Sequence, residues 1–313
     1  MFEPFREKIN QYDSIVIFGH LNPDGDCYGS QIALREILHQ NYPNKKIYAV
    51  GSGLNIFYSY LGHMDVVSDE IITNSLAVIL DSNDLIRLED KRAPSALDFV
   101  KIDHHINTFS FIEGPEIVDT NACSTAELIY RLAIESGLSI PKIAANALYL
   151  GMLTDTGRFQ YVNDYVTVFS ILKDLCLHGA EPKIISQISS MTNEQSLKIK
   201  AFVLNNYKTN PKGIIYLIVS KADRDALGIT AAKMVGQVTL LDNITGYPIW
   251  FIATETDNHG LQAELRSLNV DVQHVAIAYG GGGHRFAAGF SYPEYSIDKV
   301  NELIKRCEDS LEE

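Results

Sequence analysis

The sequence predicts a two-domain α/β protein: an N-terminal, mostly parallel sheet flanked by helices, and a smaller C-terminal α/β domain. Three observations carry that expectation. Short apolar runs alternate with segments of helical period, the pattern of strands joined by helical crossovers. The chain has 313 residues, beyond the size at which a single core keeps growing. The strand pattern also restarts after Pro211-Lys212-Gly213, which places the domains at 1–185 and 212–313 with a helical linker over 186–211.

Ser14–Phe18, Lys46–Val50, Leu76–Leu80 and Phe99–Ile102 read as buried strands, because each is a short apolar run bounded by polar residues. Between the first two, Ile32, Leu34, Ile37 and Leu38 recur on a helical period. Ser124-Thr125-Ala126-Glu127 is a capping-box pattern opening a helix that Gly137 ends. Helices follow from Lys142 to Thr154 and from Tyr165 to His178, the latter with Asp164 as N-cap and Gly179 as stop. From Gly179 to Lys212 two helical segments start near Pro182 and Asn193. Ile214–Val219 is then a strand, Ala222–Leu240 contains a helix, and Ile249–Thr254 and Leu261–Leu265 are paired strands. Asp271–Tyr279 begins another helix, Gly280–Gly283 is a glycine run, and Ser296–Leu311 is a closing amphipathic helix.

Composition narrows the function. A 46% hydrophobic fraction supplies enough apolar surface to bury, which argues against disorder. The balance of 26 Lys+Arg against 39 Asp+Glu gives a net charge of -13, unsuited to gripping a long nucleic acid through its phosphates. The excess is uneven: 14 basic against 24 acidic side chains over 1–190, and 12 against 15 over 191–313. Most of it reads as solvated surface; part of the N-terminal excess reads as carboxylate neutralised by bound cations. Cys27, Cys123, Cys176 and Cys307 form no CxxC pair, which suits a reducing compartment and gives no zinc-finger spacing. No signal peptide and no membrane-length apolar run is present, so a cytoplasmic location is the expectation.

Acids and histidines stand at the ends of predicted elements in four places. His20-Leu-Asn-Pro-Asp24-Gly-Asp26 follows the first strand, Asp81 follows Leu76–Leu80, Asp103-His104-His105 follows Phe99–Ile102, and Asp155 ends a helix. Open α/β sheets bind ligands at the carboxyl ends of their strands. Singly, each cluster has an ordinary explanation as a turn, a cap or a surface pair. Together they point to divalent cations, for which carboxylate and imidazole without thiolate suit Mn, Mg, Fe or Zn. Asp24 and Asp26 would repel each other at close range without a cation between them. Two ions sharing a bridging carboxylate and a bridging hydroxide are the usual arrangement for attack on phosphorus.

The motifs FGHLNPDGDCYGS, ILDSND, KIDHH and GMLTDTGRF resemble the four motifs of the DHH phosphoesterases, and Tyr279-GGGGH-Arg285-Phe-Ala-Ala-Gly289 resembles the GGGH signature of the domain that accompanies many of them. The resemblance spans about residues 14 to 290. It implies a DHH domain over 1–185, an associated substrate-binding domain over 212–313, and an active-site cleft between the two domains. It also implies two Mn²⁺ per active site, with Mg²⁺ or Co²⁺ as substitutes. One ion would take His20, Asp24 and Asp81; the other Asp26, Asp81 as bridge, His104 and Asp155. His105 would face the phosphate or leaving group, and Asp103 would orient the neighbouring imidazoles. Cys27 stands where the family often has Ala.

Gly281, Gly282, Gly283 and His284 would approach a phosphate through backbone amides, with Arg266-Ser267 as a further phosphate contact and Arg158 as a substrate contact. The implied activity is a metal-dependent exoribonuclease and 3′-nucleotidase. It would cut short oligonucleotides to mononucleotides and remove the 3′-phosphate of adenosine 3′,5′-bisphosphate (pAp) by metal-activated hydroxide attack. The alternatives are a manganese pyrophosphatase, which the glycine run and Arg266-Ser267 weigh against, a linear dinucleotide (pApA) phosphodiesterase, and a nucleotide-binding sensor. The expected partners are short oligonucleotides and phosphorylated nucleotides, with no membrane. The glycine run follows a helix and precedes a strand, the reverse of a dinucleotide-binding fingerprint, and no P-loop or nucleophile elbow appears.

Overall fold

The computed structural model describes residues 1–105 and 114–312. The chain forms two compact units, residues 1–191 and 192–313.

The first unit is built on a five-stranded, all-parallel sheet in the order β2-β1-β3-β4-β5. Its strands are β1 (Ser14–Phe18), β2 (Lys46–Ala49), β3 (Leu76–Leu80), β4 (Asp98–Asp103) and β5 (Glu116–Val118). β1 and β3 have the predicted bounds, and β5 is a three-residue strand that the pattern does not announce. Side chains alternate between two buried faces: Ile15 and Ile17 join one core cluster, Val16 and Phe18 the other. That two-sided burial explains why the parallel strands read as continuous apolar runs.

The helices of this unit are α1 (Glu3–Gln11), α2 (Gly25–Asn41), α3 (Tyr58–Leu61), α4 (Asp69–Thr73), α5 (Thr125–Glu135), α6 (Lys142–Asp155), α7 (Tyr165–Leu177) and α8 (Pro182–Ser189). α1 is absent from the sequence expectation, although Phe5 and Ile9, one turn apart, are both buried. α2 and α6 meet backbone to backbone. A Cβ at Gly29 would lie 2.4 Å from the Ala147 carbonyl oxygen, and one at Gly25 would lie 2.3 Å from Thr154 Oγ1. β2 and β3 lie on opposite sides of β1. The carboxyl ends of β1 and β3 therefore form a topological switch point, where an open α/β sheet leaves a crevice.

The second unit carries a six-stranded mixed sheet in the order β10-β11-β9-β8-β7-β6. The strands are β6 (Lys208–Thr209), β7 (Ile214–Val219), β8 (Ile249–Glu255), β9 (Leu261–Ser267), β10 (Gly282–His284) and β11 (Ala287–Tyr292). Among the described residues of this sheet only β7 and β8 pair in parallel. Helices α9 (Glu194–Asn206), α10 (Lys221–Leu227), α11 (Ala231–Val235), α12 (Gln273–Ala278) and α13 (Ile297–Asp309) complete it. The helix expected within 222–240 is two helices, because Gly228 takes φ 65° and caps α10 by donating its N–H to the Arg224 and Asp225 carbonyls. Part of the glycine run is strand rather than loop: Gly282, Gly283 and His284 pair with Gly289, Ala288 and Ala287.

Candidate functional site

The switch point gathers the predicted acids and imidazoles of the first unit. β1 delivers His20 past Gly19, where a Cβ would lie 2.4 Å from Cys27 Sγ. Asp24 is the N-cap of α2, and its Oδ1 accepts from the Asp26 and Cys27 amides at 3.0 and 2.9 Å. It thus serves as the ordinary cap its turn motif suggests and also stands 3.8 Å from His20 Nε2. Asp26, one residue into the same helix, is fully buried. The N-terminus of α5 holds it: Thr125 and Ala126 donate their amides to its two oxygens at 2.7 and 2.9 Å. Gly151 makes room behind it, since a Cβ there would stand 2.7 Å from Asp26 Oδ1.

Asp81 directly follows β3 at φ 56°, a left-handed conformation uncommon outside glycine and concentrated at functional sites. Its Oδ1 accepts from Thr125 Oγ1 at 2.9 Å, and its Oδ2 lies 3.4 Å from His20 Nε2. His104 Nε2 faces three carboxylates, Asp155 Oδ2 at 3.3 Å, Asp81 Oδ1 at 3.7 Å and Asp26 Oδ2 at 4.0 Å. His20 Nδ1 contacts the Leu21 carbonyl at 3.0 Å and His104 Nδ1 the Ala122 carbonyl at 3.4 Å. Both imidazoles therefore turn Nε2 toward the acids, the orientation a metal-ligating histidine takes when its other nitrogen meets a carbonyl.

Asp103 is the last residue of β4 and is buried. Its Oδ1 accepts from His105 Nδ1 at 2.8 Å and from the His105 amide at 3.1 Å. Among the described residues its hydrogen bonds go to His105; the expectation that it steers both imidazoles is corrected for His104, whose Nδ1 meets the Ala122 carbonyl instead. His105 Nδ1 also lies 3.5 Å from Asp81 Oδ1, and its side chain is about half exposed. With His20, Asp24, Asp81, Ser82, Asn83 and Arg87 it lines a cleft of ≈ 130 Å³. Arg87 was not singled out from the sequence, where it is one more surface arginine with no motif around it.

The electrostatics are those of closely spaced, buried carboxylates. Burial, then the charges of Asp81 and Asp155, pushes the Asp26 carboxyl well above its ordinary range. Burial likewise raises Asp155 to about 6, against the attraction of His104. Burial opposes a charge on His20, but Asp24 and Asp81 override it and hold the imidazole protonated far above its usual value. Among the described residues His104 Nε2 is buried with no hydrogen-bond partner. An orphaned imidazole nitrogen aimed at three carboxylates is a costly arrangement that a divalent cation would satisfy. His20, Cys27 and Asp81 also present donor atoms within 4.8 Å of one another. Burial pushes the Cys27 thiol up to about 12, so it stays protonated at neutral pH and Asp24 is the better donor at that corner.

Arg158 stands apart from this cluster, with its guanidinium donating to Ser190 Oγ at 3.1 Å. It belongs to a left-handed run: Gly157, Arg158 and Phe159 have φ of 56°, 61° and 65°.

In the second unit, register puts Arg266 opposite Ala287 and Ala287 opposite His284. The arginine and histidine thus share one face of the sheet, two strands or roughly 10 Å apart. Arg266 Nη1 donates to Glu264 Oε2 at 2.8 Å, and Glu264 itself lies across Gly289, where a Cβ would come within 2.8 Å of its Oε1. Ser267 spends its hydroxyl on the Val270 carbonyl. Gly281 and Gly283 are required by strand contact: a Cβ would meet the Gly289 carbonyl oxygen at 2.2 Å and the Ala287 carbonyl oxygen at 2.6 Å, respectively. Gly282 faces open space.

A parallel sheet with carboxylates and imidazoles gathered at its switch point, followed in the chain by a mixed-sheet unit, is an arrangement able to hold divalent metal, and the family it matches is one of phosphoesterases. Residues 14–152 match the DHH family N-terminal domain, and residues 210–313 match the DHHA1 domain. The bifunctional oligoribonuclease and PAP phosphatase NrnA of Mycoplasma genitalium is 33% identical over 306 residues, 95% of each chain. The protein of the same name from Bacillus subtilis is 32% identical over 308 residues, 96% of this chain and 95% of its own. The crystal structure of an exopolyphosphatase-related protein from Bacteroides fragilis shares the fold, with a TM-score of 0.86 at 24% identity over 99% of this chain and 96% of its own. The chain belongs to the DHH family of phosphoesterases. Among the described residues no helix is long and apolar enough to cross a membrane.

Proposed function

We propose that this protein is a divalent-metal-dependent hydrolase that degrades short oligoribonucleotides to mononucleotides and removes the 3′-phosphate of pAp. The observation that carries the reading is the convergence of Asp26, Asp81, Asp155 and the orphaned His104 Nε2 at the switch point. The names of the full-length relatives, oligoribonuclease and PAP phosphatase, supply the substrate class.

In this reading one ion takes His20, Asp24 and Asp81, and a second takes Asp26, Asp81, His104 and Asp155. Mn²⁺ is the preferred ion, with Mg²⁺ or Co²⁺ as substitutes. When bound, the pair supplies a hydroxide at neutral pH and neutralises charge developing on the phosphoryl group. The chain's own residues do the rest. The amides of Thr125 and Ala126 fix Asp26, and the Thr125 hydroxyl fixes Asp81. Asp103 lowers the cost of a proton on His105 and raises its pKa, so His105 is suited to donate a hydrogen bond or proton to the phosphate or leaving oxygen. Arg266, Ser267, His284 and Gly281–Gly283 are assigned to the phosphate, and Arg158 to the substrate strand beyond it.

The test is a panel of pAp, pApA, a five-mer, a long single strand and pyrophosphate, with Mn²⁺ and with chelator. We expect metal-dependent release of mononucleotides from the short substrates, abolished by Asp81→Ala. Rapid turnover of pyrophosphate with no action on pApA would overturn the assignment in favour of a pyrophosphatase. Tight nucleotide binding without turnover would make the protein a sensor.

A further inference from the structure

The metal cleft, at ≈ 130 Å³, is too small to hold a nucleoside, for which ligand pockets run to about 300 Å³ and more. A larger cavity of ≈ 460 Å³ lies in the same unit, walled by α5 and the segment before it on one side and by the α6–α7 connection and the start of α7 on the other. Both walls continue from residues of the cluster. Cys123 precedes by two residues the Thr125 amide that holds Asp26. Tyr161 follows Asp155 by six residues. The charge of Asp26 also contributes, after burial and Glu127, to holding the Cys123 thiol protonated.

The lining chemistry suits an uncharged, flat, hydrogen-bonding ligand. The Tyr161 side chain lies against Gly157, where a Cβ would come within 2.6 Å of the ring, yet Tyr161 is 67% exposed. That leaves an aromatic surface free for stacking. Among the described residues the Asn163 side chain makes no hydrogen bond, and Asn121 uses only its amide nitrogen, on Asp119 Oδ1. The cation at the wall, Arg131, is already paired with Asp119 at 2.9 Å and stands 3.7 Å from Glu127. With its charge answered on both sides, it leaves nothing to attract a phosphate.

We propose that this cavity is a nucleobase subsite for the second nucleoside of a dinucleotide, the one that pAp lacks, with Tyr161 as its stacking platform and Asn121 and Asn163 reading the base edge. This rests on the function proposed above and assigns it a place for the longer substrates.

The experiment compares kcat/KM for pApA and for pAp in the Mn²⁺-loaded full chain, for wild type, Tyr161→Ala, Tyr161→Phe and Asn163→Ala, together with a calorimetric titration of adenosine. Both residues are exposed, so the variants should fold. Expected is an about tenfold fall in the pApA-to-pAp ratio for Tyr161→Ala, carried by KM and restored to within about twofold by Tyr161→Phe. Asn163→Ala should lower the ratio by several-fold. Adenosine affinity should weaken in parallel. A ratio unmoved by Tyr161→Ala, or lowered equally by Tyr161→Phe, overturns the subsite. If wild type hydrolyses neither substrate, the function proposed above falls. Adenosine binding that is insensitive to Tyr161→Ala would then overturn the subsite on its own terms.

Discussion

The acid cluster of the first unit and the Arg266–His284 row of the second are built on opposite physical plans. In the cluster, side chains are held by the backbone. Asp26 takes two amides from a helix terminus, the His20 and His104 imidazoles rest on carbonyls, and Asp81 sits in a left-handed conformation. In the row the anchoring is sparser: Arg266 Nη1 divides itself between the Glu264 carboxylate and the Leu265 carbonyl, both at 2.8 Å, and His284 is exposed. The first plan fixes positions to a fraction of an ångström and concentrates buried like charge. The second leaves a cation free to exchange a carboxylate for a phosphate. Chemistry at phosphorus needs the first; capture of a varied substrate tolerates the second.

The sharpest way to break this comparison is to substitute one residue in each. Asp81→Asn should cost at least about 10³-fold in kcat, since Asp81 contacts His20, His104, His105 and Thr125 together. Arg266→Ala should instead raise KM by about 10–100-fold, the worth of a charged hydrogen bond to phosphate, with kcat little changed. Equal effects on kcat would erase the distinction.

Glycines give the next contrast. Gly151→Ala forces a methyl to within 2.7 Å of Asp26 Oδ1 and 2.6 Å of Ala126 Cβ, and should cost about 1–3 kcal/mol of stability, read by denaturant unfolding, together with metal affinity. Gly289→Ala meets chiefly the end of a side chain, Glu264 at 2.8 Å, that can swing away, with the Ala263 carbonyl oxygen at 3.0 Å as a milder contact. It should alter KM while leaving metal affinity intact.

The smallest effect separates the units by pH. Asp155, raised to about 6 from 3.8 in the folded protein, favours the metal-free fold when protonated. That contribution is full below the unfolded value and is lost as pH rises through about 6. Asp26 shifts in the same direction. Adding Mn²⁺ should therefore raise Tm more at pH 7.5 than at pH 5, by a few degrees at saturating ion. Scanning calorimetry should show the gain in the first unit's transition, and an equal gain at both pH values would mean that these carboxylates do not face the ion.

Much of this was legible in the sequence because parallel strands buried on both faces are unbroken apolar runs, and the residue after each run is where a switch point puts its ligands. That rule picked out Asp81 and the Asp103-His104-His105 group as residues to gather at the switch point, where the fold does bring them together. What escaped depends on tertiary partners. α1 is short and marked mainly by Phe5 and Ile9, β5 is three residues long, and Gly228 inside an apparent helix is visible only once its left-handed φ is known. The support of Asp26 by Thr125 and Ala126 joins residues 99 and 100 positions apart. Its only trace was the capping pattern at Ser124. Even there Glu127 departs from the expected box, accepting from the Cys123 amide, one residue earlier. The glycine motif was legible as sequence but not as cause, since Gly281 and Gly283 answer to the approach of β11.

The seam between α2 and α6 has a consequence for how the molecule breathes. Asp26 rides on one of these helices and Asp155 on the other; at Gly29 backbone meets backbone with no side chain between, and at Gly25 only the short Thr154 side chain intervenes. With so little to flex at that contact, the two acids stay together unless a whole helix detaches. The amides of α2 and α6 should then be among the slowest in the protein to exchange with deuterium, and the frame of the site should outlast the fraying of the elements around it.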